Sequence, residues 1–395
     1  MEQTLRDVIE PLAALERGAG SPGEKLAAEL LAERLRLTGA RVQVDEEEFR
    51  GRNYARLLLP LGVAGTLCAL AVARGRSRWL AGVVAAGSVA LTVDDIENGS
   101  RLWRRTVGRP AKTWNVVAEV GDPSASRTLV VMGHHDAAPT GQAFDPSLQR
   151  ALAARFPDLV QRTDTALPIW WPNIAGPVLA VLAALTGRRG LARAGVGMGL
   201  LTLGLGADIA RGRIVPGAND NLSGSAALVA LAERLRDEPI PGLRVILASC
   251  GAEEVLQGGI YGFRDRHLAR LDRASTWVLN LDTIGSPQLF MVEGEGPFWM
   301  HDYVDPSFRD RIARVTEEAT GEPLRRGCRA RASTDSIVPS RAGFPTATLC
   351  SWEPDTKLMS NYHLMTDTPD RLRYETIERA VVVCEAVARD LAAPA

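Results

Sequence analysis

The chain is poor in cysteine and histidine, with five of each in 395 residues. Cys68, Cys250, Cys328, Cys350 and Cys384 form no CxxC pair, and their number is odd. That argues against a disulfide framework and against a cysteine-built zinc site, and it fits a reducing compartment. Net charge is also missing: 46 basic residues against 47 acidic ones leave −1. No clustered basic face marks a nucleic-acid partner, so none is expected. The opening stretch "MEQTLRDVIEPLAALERG" lacks the basic and apolar regions of a secretory signal. What the chain does have is apolar residues, at 46%, enough for a large core in one to three domains.

Helical spacing of Leu, Ile and Ala marks residues 5–16 and 21–38, with Ser21 as N-cap ahead of Pro22 and Gly39 as the stop. Short runs at 41–49, 114–120, 128–133, 243–250, 275–282, 288–292 and 345–350 read as strands. Residues 223–238 and 374–392 read as amphipathic helices. Buried strands alternating with helices predict an α/β fold with a mixed, largely parallel central sheet.

Two blocks break that rhythm. Residues 57–73 and 79–93 are uncharged, with "RGRSR" between them; residues 165–187 and 194–207 repeat the design around "RRGLAR". Each block reads as an apolar helical hairpin inserted into the α/β domain. The chain therefore divides into α/β-domain pieces at 1–50, 113–140 and 214–395, with insertions at 51–112 and 141–213. Three of the four runs fall short of the roughly 20 residues that span a bilayer, which leaves a soluble helical appendage open. Runs so rich in Gly and Ala suit close helix packing in lipid, so integral membrane association through 57–93 and 165–207 is the expectation. Arginines at the hairpin bases, including Arg50, Arg52, Arg104, Arg105, Arg211 and Arg213, outnumber those at the tips and turn the α/β domain toward the cytoplasm. Oligomeric state stays open.

The chemistry sits in five short stretches. In "VVMGHHDAAPT" (130–140), His134 and Asp136 lie two residues apart at a strand end and share a face, whereas His135 points the other way. A ligating imidazole needs a partner for its second nitrogen, and Asp136 can provide it. Asp220 lies in the polar loop of "PGANDNLSGSAAL", where helix capping is the rival role. Glu253 and Glu254 are paired in "ASCGAEEVLQGG", which also fits a solvated first helical turn. Asp282 ends the strand of "LNLDTIGS", and His363 lies in "NYHLMTDTPDRL", four residues before Asp367. Strands in an α/β sheet gather such residues at their C-terminal edge. Two histidines and three carboxylates (His134, Asp220, Glu254, Asp282 and His363) suit two Zn²⁺ ions, provided one carboxylate bridges. Glu253, beside Glu254, is the natural general base.

These pieces, "HHD", "GANDNLSG", "EE", "NLD" and "YHLMTDT", make the sequence resemble the zinc-dependent exopeptidases that include bacterial leucyl aminopeptidase, aminopeptidase Y, glutamate carboxypeptidase II and glutaminyl cyclase. The resemblance implies a mixed sheet of about eight strands between helices. It implies that His134 and Asp282 hold one zinc, that Glu254 and His363 hold the other, and that Asp220 bridges. It further implies that Asp136 orients His134, that Glu253 moves the proton from a metal-bridging water, and that the Asp220–Asn221 peptide is cis. Asp335 and Tyr362 fall in segments that bind substrate in that family. Ser336 stands where the family has histidine, and Leu364 where it has threonine, which unsettles the choice of substrate. The reading is a di-zinc aminopeptidase acting on peptides. Its rivals are a glutaminyl cyclase or a carboxypeptidase on the same scaffold, or a non-catalytic membrane scaffold.

Overall fold

The computed structural model describes residues 1–165 and 168–393. The chain opens with α1 (Glu2–Ala13), α2 (Pro22–Leu37) and β1 (Arg41–Arg50). Ser21 caps α2 by accepting from Glu24 N, and Gly39 closes it with φ +85°. Next come α3 (Tyr54–Ala73), α4 (Arg78–Ile96), α5 (Leu102–Val107), β2 (Pro110–Gly121) and β3 (Thr128–His134). The second insertion holds α6 (Ser147–Arg155), α7 (Pro157–Arg162), α8 (Pro172–Thr186) and α9 (Arg189–Ile209). The remainder is α10 (Ser223–Asp237), β4 (Arg244–Cys250), α11 (Ile260–Arg266), β5 (Thr276–Leu281), β6 (Gln288–Glu295), β7 (His301–Asp302), α12 (Pro306–Thr320), β8 (Arg325–Ala330), α13 (Ile337–Arg341), β9 (Thr346–Trp352) and α14 (Tyr374–Ala392).

Among the described residues, nine strands form one sheet in the order β1-β2-β4-β3-β5-β9-β6-β7, with β8 paired to β6. The central strands β4, β3, β5 and β9 run parallel. The flanks β1–β2, β2–β4, β6–β9 and β6–β7 are antiparallel, so parallel pairing is confined to the centre and to β6–β8. Strand alternation sorts the core. Val116, Leu129, Val131 and Leu247 face α1, α2, α10 and α14, whereas Val117, Val130, Met132 and Ile246 face α11 and α13. Leu129 is fully buried, and its truncation to Ala would cost about 2–5 kcal/mol.

The apolar insertions are one object rather than two hairpins standing apart. Helices α3, α4, α8 and α9 pack on one another as a four-helix bundle. Close approach depends on missing side chains: a Cβ at Gly65 would collide with Pro177, and one at Gly199 with Thr66. Ser88 Oγ also donates to Leu61 O across the α3–α4 contact at 2.7 Å. Helices α3, α4 and α9 run 20, 19 and 21 residues, longer than the uncharged runs, because they continue into polar ends such as Tyr54–Arg56 and Asp94–Ile96. All three are long and apolar enough to cross a membrane, whereas α8 has 15 residues. The expected run at 165–187 begins in part at Ala166 and Leu167, which lie outside the described residues.

Candidate active site

Parallel pairing brings the C-terminal ends of β3, β4 and β5 to one edge of the sheet, and the chemistry gathers there. His134 is the last residue of β3, Glu253 and Glu254 follow β4, and Asp282 follows β5. Asp220 comes from the irregular segment Ala218–Leu222 ahead of α10, with extended backbone at φ −111°, ψ 90° and a cis peptide to Asn221. His363 comes from the loop after β9.

His134, Asp220 and Glu254 offer donor atoms within 4.8 Å of one another. Asp220 is the hub. Its Oδ1 lies 3.3 Å from His134 Nε2, and its Oδ2 lies 3.2 Å from His363 Nε2. Glu254 Oε2 is also 3.2 Å from His363 Nε2. Asp282 is buried beside this group, and its carboxylate accepts from Thr283 Oγ1 at 2.9 Å.

The loops are held from behind by hydrogen bonds to carboxylates. Asp136 accepts from Glu253 N at 2.9 Å and Glu254 N at 3.0 Å, and its Oδ1 lies 3.4 Å from His134 Nδ1. One carboxylate thus registers the β4 loop against the end of β3. Asp367 does the same for the hub, accepting from Asn219 N at 2.8 Å and Asp220 N at 3.1 Å. His135 turns away, its Nδ1 3.0 Å from Ser249 Oγ. Burial pushes its pKa down to about 4, which keeps it neutral.

So many buried carboxylates cannot all stay ionised without cations. Burial pushes Glu254 up to about 7 and Asp282 up to about 6, and raises Glu253 well above the carboxylate range. For His134 and His363 burial favours the neutral ring. The carboxylates of Asp136 and Asp220 beside the ring outweigh it at His134, and the charges of Glu254 and Asp220 outweigh it at His363. A field that would hold protons on two imidazoles is a field that favours a bound cation. The donor set fits zinc: imidazole nitrogens and carboxylate oxygens, with a buried Glu254 Oε1 that has no hydrogen-bond partner. Donors about 2.0–2.1 Å from one tetrahedral ion stand roughly 3.3 Å apart, close to the separations around Asp220.

Tyr362 lines the adjoining cavity and stacks on His363 with ring centroids 3.9 Å apart. Asp335, expected at the substrate, does not line that cavity. It is buried behind the site against Cys250, where burial pushes it up to about 8. Its carboxylate enters the charge balance around His134 instead.

Three residues escaped sequence reasoning. Gln257 donates to Glu253 Oε1 at 2.7 Å. Arg17, fully buried, donates to His135 O at 2.9 Å and Gly217 O at 3.1 Å, tying the end of β3 to the Asp220 loop. Phe144, from the second insertion, packs edge-on against His363 at 4.4 Å. Gln257 lies in the "EEVLQGG" stretch, so its nearness to Glu253 was the one available signal.

Residues 203–388 match the model of Peptidase family M28. The fold is that of several solved proteins of low identity. A Zn-dependent exopeptidase from Parabacteroides distasonis ATCC 8503 aligns over 98% of both chains at 12% identity and TM-score 0.56. The glutaminyl cyclase of Bacteroides thetaiotaomicron aligns over 99% of this chain and 98% of its own, at 12% identity and TM-score 0.58. An aminopeptidase from Aneurinibacillus sp. strain AM-1 aligns over 100% and 95%, at 13% identity and TM-score 0.57. No curated protein matches the sequence.

Proposed function

From a chain that carries a Peptidase family M28 domain, we propose a di-zinc aminopeptidase that hydrolyses the N-terminal residue of peptides. The observation that carries this reading is Asp220, whose two oxygens each face a different histidine. One carboxylate set between two imidazoles suits a bridge between two metal positions. His134 and Asp282 would hold one ion, Glu254 and His363 the other. Two Zn²⁺ bound there would polarise the scissile carbonyl and make water a stronger nucleophile near neutral pH.

The rest of the chemistry belongs to the chain. Glu253 Oε2 lies 3.9 Å from His134 Nε2, at the edge of the cluster without being one of its hub contacts. Its burial raises its proton affinity, which suits a base that must take a proton from the attacking water and give it to the leaving amine. Asp136 fixes the ring of His134 and the backbone of both glutamates. The aminopeptidase reading rests on the likeness to solved aminopeptidases such as that of Aneurinibacillus sp. strain AM-1, and the cations Arg150, Arg329, Arg331 and Lys357 in the cavity keep a carboxypeptidase as a rival. Glutaminyl cyclase is the second reading, since cyclases share this fold.

The test is Glu253→Gln. With aminoacyl arylamides as substrate, kcat should fall by about 10²–10⁴-fold, the usual weight of a general base. An unchanged kcat would reject the mechanism. Turnover of N-terminal glutamine to the cyclic product, without arylamide hydrolysis, would favour the cyclase.

The bundle is read as a membrane anchor. Three helices have the length and apolarity, and only 17% of the apolar window of α9 is buried within the protein. The catalytic domain is then on the arginine-rich side, facing the cytoplasm.

A further inference from the structure

We propose that the natural substrate is an amide carrying a long, unbranched apolar chain, which lies in a cavity joining the Asp220 cluster to the helical bundle. This deepens the hydrolase reading above and rests on it. The cavity holds about 660 Å³, a volume that encloses a small organic ligand. Its lining includes Glu253, Glu254 and His363 of the site together with Leu58 and Leu59 of α3 and Leu203 of α9. The same space thus runs from the reacting groups to side chains that offer only dispersion contact and apolar burial.

The far wall is built by the insertions. A peptidase that reads one short side chain needs a pocket only within its α/β domain. Here two helices outside that domain close the cavity, and Tyr54 of α3 packs edge-on against Trp170 at 5.4 Å to complete the wall. The stretch of wall made by Leu58, Leu59 and Leu203 accepts methylenes, while Arg150, Arg329, Arg331 and Lys357 line the rest of the same cavity and offer charge to a polar end.

The apolar path continues outward. On α9, Leu200 and Leu201 are 61% and 57% exposed, within one turn of Leu203. On α3, Val63 and Leu67 are exposed beyond Leu59. An apolar chain longer than the cavity would find further apolar surface at these exposed side chains. A fatty acyl or alkyl chain and a long aliphatic side chain have the same chemistry here. What differs is whether the chain sits on the acyl or the amine side of the scissile bond.

The experiment uses the full chain, zinc-loaded, in lipid nanodiscs. One arm measures arylamides of 2-amino acids with n-alkyl side chains from ethyl to decyl. The other measures leucyl n-alkylamides over the same lengths. The expected result is a rise in kcat/KM of roughly fourfold per methylene in one arm, the factor for burying a CH₂ group. The arm that responds identifies the side that bears the chain. Leu203→Gln and Leu58→Trp, one making the wall polar and the other filling the space, should each cut the decyl-to-ethyl ratio of kcat/KM by roughly tenfold or more. A flat profile in both arms, with the ethyl members hydrolysed, overturns the cavity assignment and leaves the hydrolase reading standing. Ratios unmoved in both variants also overturn it. No hydrolysis of any member by the zinc-loaded protein removes the hydrolase reading, and the inference falls with it.

Discussion

The side-chain amide of Gln257 donates to Glu253 Oε1 at 2.7 Å and is itself held by Asn98 Nδ2, which donates to Gln257 Oε1 at 2.7 Å. Its second proton goes to Ser333 O at 2.7 Å, so every polar atom of that amide is used. Asn98 follows the bundle helix α4, and Arg101 hydrogen-bonds both Asn98 and the Leu256 carbonyl. The proposed general base is thus aimed by a chain of contacts that begins at the end of a bundle helix. Gln257→Leu should lower kcat by up to about 10²-fold, with a smaller effect on KM, because it misplaces a proton acceptor. Steady-state kinetics on an aminoacyl arylamide checks the split; an effect confined to KM would assign Gln257 to binding.

Asp136 makes a different prediction. It binds two backbone N–H groups of the glutamate loop and lies against His134 Nδ1. Asp136→Asn removes the charge that fixes the ring, and zinc affinity should fall about 10–100-fold. A competition titration against a chelator measures it directly. Equal affinity in the variant would leave Asp136 with a structural role only.

A pH dependence of stability follows from Glu295, which is fully buried at the end of β6. Burial pushes its carboxyl from 4.5 up to about 8, against the hydrogen bonds from Thr334 N at 2.9 Å and Thr334 Oγ1 at 3.0 Å. The folded state therefore binds a proton that the unfolded state releases, and the contribution is full below pH 4.5. It is lost as pH rises from there toward about 8. Glu295→Gln, neutral at every pH, should flatten the fall in unfolding free energy across that window. Denaturant unfolding at a series of pH values checks it; parallel slopes in the two proteins would contradict it.

The bundle predicts that the full chain sediments with membranes and resists extraction by high salt or alkaline carbonate, since apolar faces and not charges would hold it. Recovery in the soluble fraction, without detergent, would make the bundle an appendage.

Much of this was legible from local pattern. The alternation that opens "RVQVDEEEF", the apolar run "TLVVMG" and the Ser21–Pro22 helix start carry their own signals, and a carboxylate or histidine just past an apolar strand stands out. Strand β8, "RRGCRA", escaped because its arginines leave no apolar run, and β7 is only two residues long. The union of the two insertions also escaped, since it depends on Gly65 meeting Pro177 and Gly199 meeting Thr66 across separate segments. Arg17 and Phe144 acquire their importance only through contacts more than 100 residues away in sequence, at His135 and His363 respectively. Asp335 is buried among the charges of His134, Asp136 and Asp282, a setting its segment did not announce.

The central claim is that Asp220 sits between two metal positions. Metal analysis of the purified full chain, by mass spectrometry against protein concentration, tests it most directly, with Asp220→Asn alongside. The account predicts close to two zinc ions per wild-type chain, and loss of both metal content and arylamide hydrolysis in the variant. A wild-type chain that holds no zinc after exposure to it, or an Asp220→Asn variant that keeps both ions, would contradict it.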